Sequence, residues 1–91
     1  MRKEDFEFIE IDRTDGHIDY WFKVIGETRQ ELNRKYGGEQ AFVGVFSVLY
    51  SKDEDIAGVR RQFHCSYDVV LADDTLKETL KSIVEESEDK K

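Results

Sequence analysis

The sequence contains no proline, a single cysteine and no long apolar run. One cysteine excludes an internal disulfide framework, so we expect a reducing compartment, the cytoplasm. No apolar stretch approaches the roughly 20 residues that a membrane helix needs. The charged first residues, MRKEDFEFIEID, do not resemble a secretory signal peptide. We therefore predict a cytoplasmic protein with no membrane partner.

Basic residues are also scarce, because 14 Lys and Arg face 21 Asp and Glu and give a formal net charge of −7. Binding to a phosphate backbone relies on Lys and Arg that release counterions, and this balance opposes it. The candidate basic residues are Arg29, Arg34, Arg60 and Arg61. They are spread through an acidic chain, so we predict that nucleic acid is not the partner.

Motifs for metals, cofactors and catalysis are missing as well. Zinc sites use three or four ligands, commonly Cys and His in closely spaced pairs, and the chain has none. The run Asp53-Glu54-Asp55 lacks the alternating ligands and following glycine of a calcium loop, and YGGEQ lacks the Lys and Ser or Thr of a phosphate loop. We predict a solvated acidic loop, no metal, no cofactor and no catalytic residue.

What the sequence does contain is enough apolar material for one core. Hydrophobic residues make up 38% of its 91 residues and aromatics 12%. At this length we predict one domain over residues 1–91, with a charged tail at 86–91 that frays.

The N-terminal part carries a hairpin signal, Asp15-Gly16 between two apolar-rich runs. A two-residue turn there pairs Ile11 with Tyr20 and Ile9 with Phe22, and it gathers alternate apolar residues on one face. A rival interpretation reads residues 17–36 as one long helix, because apolar residues also recur there at helical spacing. Gly26 in the middle of such a helix and the Tyr-Trp-Phe run favour the hairpin.

The remaining elements follow from period and capping signals. Thr28 and Glu31 have the spacing of a capping box, which predicts a helix over 28–36. Residues 40–51 are apolar on both faces, which predicts a central strand covered on both sides, and residues 59–71 form the next strand. A C-terminal helix has its apolar stripe at Leu76, Leu80, Ile83 and Val84. The fold class is therefore α+β, a four-stranded, mainly antiparallel sheet in the order ββαββα with the C-terminal helix on one face; the alternative is βαββα with the helix 17–36.

The stretch QFHCSYDVV holds the only Cys–His neighbours, His64 and Cys65. If residues 59–71 form one regular strand, these side chains point to opposite faces and cannot act together. Cys65 then shares a face with Phe63 and Tyr67 and is predicted to be buried, whereas His64 lies on the polar face with Arg60.

These patterns point to binding rather than catalysis. In the hairpin, Trp21 points away from the main core, alongside Phe6 and Phe8. It belongs either to a second small core under the helix 28–36 or to a partly exposed aromatic patch that marks a protein interface. The candidate interface residues are Trp21, Phe8, Arg60 and His64.

Our functional hypothesis is a small acidic, non-enzymatic protein-binding module whose partner is another protein or a second copy of the chain, as a homodimer. Inhibitors, immunity proteins and phage-type anti-defence factors are analogous small acidic proteins that occupy basic surfaces. The alternative is a small-molecule-binding domain or minor enzyme, with a pocket between sheet and helix and His64 or Tyr67 as polar contacts.

Overall fold

The computed structural model describes residues 1–37, 42–63 and 65–89. Five strands and two α-helices follow one another there: β1 (Phe6–Thr14), β2 (His17–Val24), α1 (Gly26–Tyr36), β3 (Phe42–Ser51), β4 (Ile56–Phe63), β5 (Tyr67–Leu71) and α2 (Asp74–Asp89). A short 3-10 turn, Lys3–Asp5, precedes β1. Within these ranges no helix is both long and apolar enough to cross a bilayer.

The strands form one antiparallel sheet in the order β1-β2-β3-β4-β5, which confirms the α+β class with an antiparallel sheet. The predicted four strands and ββαββα order are wrong, because the chain reverses between Phe63 and Tyr67. Residues 59–71 thus supply the end of β4 and all of β5, which pair with each other. A 13-residue strand would have exceeded the usual length of about 3 to 10 residues.

The N-terminal hairpin is confirmed, and the long helix over 17–36 is wrong. Asp15 and Gly16 both have positive φ, 54° and 81°, as a two-residue turn of the favoured type requires. The turn sets Thr14 opposite His17 and Ile11 opposite Tyr20, as predicted. Strand β2 also pairs with β3 on its other side, so the backbone of residues 19–23 is hydrogen-bonded within the sheet and cannot be part of a helix.

A β-bulge at Ile9 changes the register in the first half of β1. Glu10 lies opposite Trp21, but the next partner pair is Phe8 with Phe22, so the predicted pairing of Ile9 with Phe22 is wrong. The extra residue moves Phe8 to the side of the sheet that Phe22 occupies, and the two rings meet edge to face at 6.0 Å between centroids. Phe6, predicted to lie beside Trp21, is likewise buried in the main core.

Both helices pack on the same face of the sheet, which we call the covered face. The predicted stripe of α2 is buried there, and α1 contributes Leu32. Fully buried side chains of this core are Val24, Leu32, Val45, Val48, Val59, Leu76 and Leu80. The prediction that the central strand is covered on both sides is wrong, because no described helix lies on the other face.

The start of α1 is capped from outside the helix rather than by the predicted box of Thr28 and Glu31. The Asp5 carboxylate accepts hydrogen bonds from the Thr28 backbone N–H at 3.4 Å and from its hydroxyl at 2.8 Å. Gly26 has a φ of +66°, and the carboxylate atoms of Asp5 lie only 3.2 to 3.3 Å from the position a Cβ would take. A glycine is therefore required where the chain enters the helix.

Candidate binding surface

The face of the sheet opposite the helices, which we call the open face, carries a patch of aromatic and aliphatic side chains. Cross-strand pairing arranges them in two rows. One row runs from Trp21 through Leu49 and Gly58 to Leu71, and the other from Lys23 through Ser47 and Arg60 to Val69. Tyr67 follows opposite Gln62. The open-face patch is Trp21, Leu49, Arg60, Tyr67, Val69 and Leu71.

Exposure on the open face is greatest along β5. Tyr67, Val69 and Leu71 are 63%, 46% and 72% exposed, and they are three of the five large hydrophobic residues that are exposed in the described part of the chain. Alternate residues of a strand share one face, so these three side chains stand in line. Strand β5 is also an edge of the sheet, because β4 is its one neighbour among the described strands.

Arg60 organises the aromatic part of the patch. Its guanidinium carbon lies 4.3 Å from the centroid of the Tyr67 ring and 5.9 Å from that of Trp21. A cation over an aromatic face is attracted by the ring quadrupole, and a planar guanidinium also stacks. Arg60 on β4 therefore contacts the rings of residues on β2 and β5 and links the two aromatic parts of the patch.

Gly58 brings the aliphatic residues of the patch together. A Cβ at this position would lie 3.0 Å from Val69 Cγ1 and 3.5 Å from the Leu49 side chain. The missing side chain lets Leu49 on β3 and Val69 on β5 approach across β4. The result is a continuous apolar surface over three strands.

The charges of β5 are paired on the covered face, whereas the β1–β2 side of the open face is acidic. Arg61 and Asp68 lie opposite each other on the covered face, and Arg61 donates to both Asp68 oxygens, at 2.9 and 2.5 Å, which lowers the pKa of Asp68. On the open face, Glu10 lies opposite Trp21 and Asp12 lies opposite Asp19. The charge of β5 is thus balanced in an acidic chain, and the far border of the open face is negative.

The structure brings together two of the four residues proposed from sequence. Trp21 and Arg60 lie on the open face, Phe8 lies on the covered face because of the bulge at Ile9, and His64 falls outside the described residues. The prediction that Cys65 is buried is wrong: it is exposed between β4 and β5.

Sequence reasoning did not place Tyr67, Val69 and Leu71 in the interface, because residues 59–71 were interpreted as one strand in which they share the face of Cys65, predicted to be buried. The alternation did not reveal the error, since Val59, Tyr67, Val69 and Leu71 all occupy odd positions. The pairing of β4 with β5 sets Gln62 opposite Tyr67 and Arg60 opposite Val69, which puts the polar and the apolar residues on the same face.

The acidic loop Asp53-Glu54-Asp55 is exposed, as predicted, and it is also held by hydrogen bonds. Asp53 accepts hydrogen bonds from the Ile18 backbone N–H at 3.0 Å and from the Ser51 hydroxyl at 3.2 Å, and its other oxygen lies 2.8 Å from His17 Nδ1. These bonds lower the pKa of Asp53 to about 2, and the same carboxylate raises the pKa of His17.

His17, Asp53 and Glu54 are also the one group among the described residues with ligand atoms close enough together for a metal ion. All three are exposed, and their hydrogen bonds and ion pairs account for the arrangement. We therefore interpret the group as a clamp that joins the β1–β2 turn to the β3–β4 turn.

Comparison with known proteins adds no relative to this description. No protein-family model, no curated protein and no solved structure matches the chain. The function is therefore argued from the residues of the open face.

Proposed function

We propose that this protein is a non-enzymatic protein-binding module that binds through its edge strand β5, which carries the exposed apolar residues of the open face, and that its partner is a second copy of the same chain. The observation that carries the proposal is the line of exposed apolar side chains on β5, continuous with the stack of Tyr67, Arg60 and Trp21. Contiguous apolar surface of this kind marks interaction sites on soluble proteins. Tyr, Trp and Arg are the residues that most often dominate binding energy at interfaces.

The edge strand favours a second copy because its sequence is complementary to itself. In an antiparallel pair of β5 strands centred on Val69, Tyr67 of one copy lies opposite Leu71 of the other. Asp68 then lies opposite Val70, so no pair of like charges meets. The exposed apolar residues of both copies fall on the same face and form one stripe across the two-fold axis.

Protection against this pairing is weak on β5. Natural edge strands avoid association through charged residues, proline, bulges or a covering element. The segment YDVVL has one charge, and Arg61 neutralises it. The net charge of −7 on each chain opposes association over longer distances, so salt should strengthen the dimer by screening that repulsion.

The test is the concentration dependence of mass in analytical ultracentrifugation, with Val69→Glu as the decisive variant. This change puts two carboxylates opposite each other at the two-fold axis, and we expect the dimer dissociation constant to rise by about 100-fold or more. The matched control is Ile9→Glu, which adds the same charge at a residue that is 50% exposed at the bulge on β1, away from β5. It should leave the dimer unchanged.

A second variant guards against local misfolding. Leu71→Glu changes the most exposed apolar residue of the strand and should weaken the dimer while leaving the melting temperature of the monomer within a few degrees. A wild-type chain that is monomeric at all accessible concentrations would contradict self-association.

The second candidate partner is a basic protein, as in an inhibitor-type or immunity-type function. The acidic border of the open face at Glu10, Asp12 and Asp19 favours a basic partner, and this is the function we expect if the chain is monomeric. Such a partner would be captured by wild type and lost with Leu71→Glu, and salt would weaken the complex instead of strengthening it. The sign of the salt effect therefore separates the two kinds of partner.

A further inference from the structure

A cavity of about 270 Å³ lies on the covered face, between the β1–β2 hairpin and the C-terminal half of α2. Its walls are mostly apolar, with Phe8, Ile11 and Phe22 from the hairpin and Ile83 from the helix. It is separate from the open-face patch, because Phe22 and Trp21 point to opposite sides of β2.

The cavity exists because the sheet is wider than its helical layer. Helix α2 packs mainly over β3 and β4, and α1 packs over β3, so the outer part of the hairpin has little helix above it. The bulge at Ile9 then turns Phe8 towards this gap, where its ring remains 57% exposed beside Phe22. An apolar residue is thus placed at the mouth of an incompletely filled space.

Two charged side chains line the cavity, Glu88 and Arg13, and they differ in whether they have hydrogen-bond partners within the protein. Glu88 accepts hydrogen bonds from the Tyr20 hydroxyl at 3.0 Å and from Lys52 Nζ at 2.5 Å. Arg13 also lines the cavity, and in the described part of the chain no ion pair or side-chain hydrogen bond engages its guanidinium. The cavity therefore offers one cation that is available to a ligand, whereas its carboxylate is already bonded.

We propose that this cavity binds a small amphipathic carboxylate, with the apolar body between Phe8, Ile11 and Ile83 and the carboxylate on Arg13. Ligand sites in proteins are typically apolar cavities in which a few polar groups fix the orientation. A guanidinium binds a carboxylate through two parallel charge-assisted hydrogen bonds, which gives both affinity and orientation. The volume of about 270 Å³ lies just below the range of roughly 300 to 1,000 Å³ that is typical of such sites, and it suits a medium-chain fatty acid rather than a large cofactor.

The test uses decanoate and its neutral analogue decanol as probes, titrated into isotope-labelled wild-type protein. Methyl and backbone NMR shifts should move at Ile11, Ile83 and Tyr20, while Leu71 and Val69 on the open face stay unchanged. Decanoate should bind about tenfold more tightly than decanol, because only the carboxylate engages Arg13. Trp21 fluorescence is not the readout, since this residue lies on the other face.

The decisive variant is Arg13→Gln, with Arg34→Gln as the matched control at an exposed arginine on α1. Arg13→Gln should abolish the preference for decanoate over decanol and leave decanol binding unchanged, and Arg34→Gln should alter neither. Arg13 is exposed, so the variant is expected to fold. Decanoate shifts that map to the open face, no shift with either probe, or a preference for decanoate that survives in Arg13→Gln would each overturn the proposal.

Discussion

The two faces of this sheet are built from alternate residues of the same strands, yet they differ sharply in burial. On the covered face Val48, Val59 and Leu80 are completely buried, whereas on the open face Tyr67 and Leu71 are mostly exposed. The difference comes from the connections: the segments after β2 and after β5 both return over the same side. With only 11 and 16 helical residues, one face is all that the helices cover. An apolar residue on a strand is therefore a candidate for the core or for an interface, and the position of the helices decides which.

Truncation of a buried side chain on the covered face should reduce stability more than any other change considered. Leu80→Ala removes methyl groups from a fully buried position, and we expect it to lower the free energy of unfolding by about 2 to 5 kcal/mol. The matched change on the open face, Leu71→Ala, should cost less than about 0.5 kcal/mol in the monomer. Urea unfolding at low protein concentration measures both, and equal losses would contradict the assignment of the two faces.

A smaller effect is expected where α1 is attached to the covered face. Asp5→Ala removes the acceptor for the Thr28 backbone and hydroxyl groups at the start of the helix. By analogy with loss of a helix cap, we expect a cost of about 1 kcal/mol in unfolding free energy. Glu7→Ala, an exposed change on the neighbouring strand, is the control and should be close to neutral. If Asp5→Ala leaves the free energy of unfolding unchanged, the cap does not contribute to stability.

The smallest effect on stability is expected at His17, at the end of β2, outside both the core and the open-face patch. His17 has its pKa raised above 6.5, chiefly by its hydrogen bond to Asp53. A raised folded-state pKa contributes stability that is fully present below the unfolded value and is lost as pH rises through the folded value. The advantage of wild type over His17→Gln in melting temperature should therefore shrink as pH rises from about 6 to 9.

The titration of His17 by NMR provides the direct measurement of that clamp. Asp53→Asn should return the pKa of His17 towards 6.5, because the charge and its hydrogen bond are removed together. Glu54→Gln is the control, since Glu54 is the more distant partner, at 3.3 Å from Nδ1, and should shift the pKa less. An unchanged pKa in Asp53→Asn would contradict the clamp.

Local signals in the sequence predicted the hairpin and α2 because those elements depend on near neighbours. The Asp15-Gly16 turn requires positive φ at two adjacent residues, which few other pairs accept, and the stripe of Leu76, Leu80 and Val84 needs one helix period. The segment between β4 and β5 contains no glycine or proline that would signal a turn. The apolar residues on either side of it were therefore assigned to one long strand. The bulge at Ile9 was equally invisible, because a single extra residue leaves no compositional mark.

In the candidate site as well, features that depend on near neighbours were predicted and contacts between strands were not. Trp21 was recognised as facing away from the core, because alternation along β2 determines its side once the hairpin is established. Arg60 was also a candidate, but its contacts with Trp21 and Tyr67 could not be predicted, since Arg60 and Tyr67 meet only when β4 and β5 pair and bring residues seven apart side by side.

Local sequence pattern fixes the elements whose geometry is local: the turn type at Asp15-Gly16, the hairpin around it and the amphipathic C-terminal helix. The division of residues 59–71 into two strands, and the face of each strand that is buried, depend on tertiary contacts, because two short helices return over one side of a sheet of five strands. The tertiary structure also decided that Asp5 caps a helix more than 20 residues away and that Arg60 contacts two aromatic rings. These contacts join residues that are distant along the chain, and no local pattern encodes them.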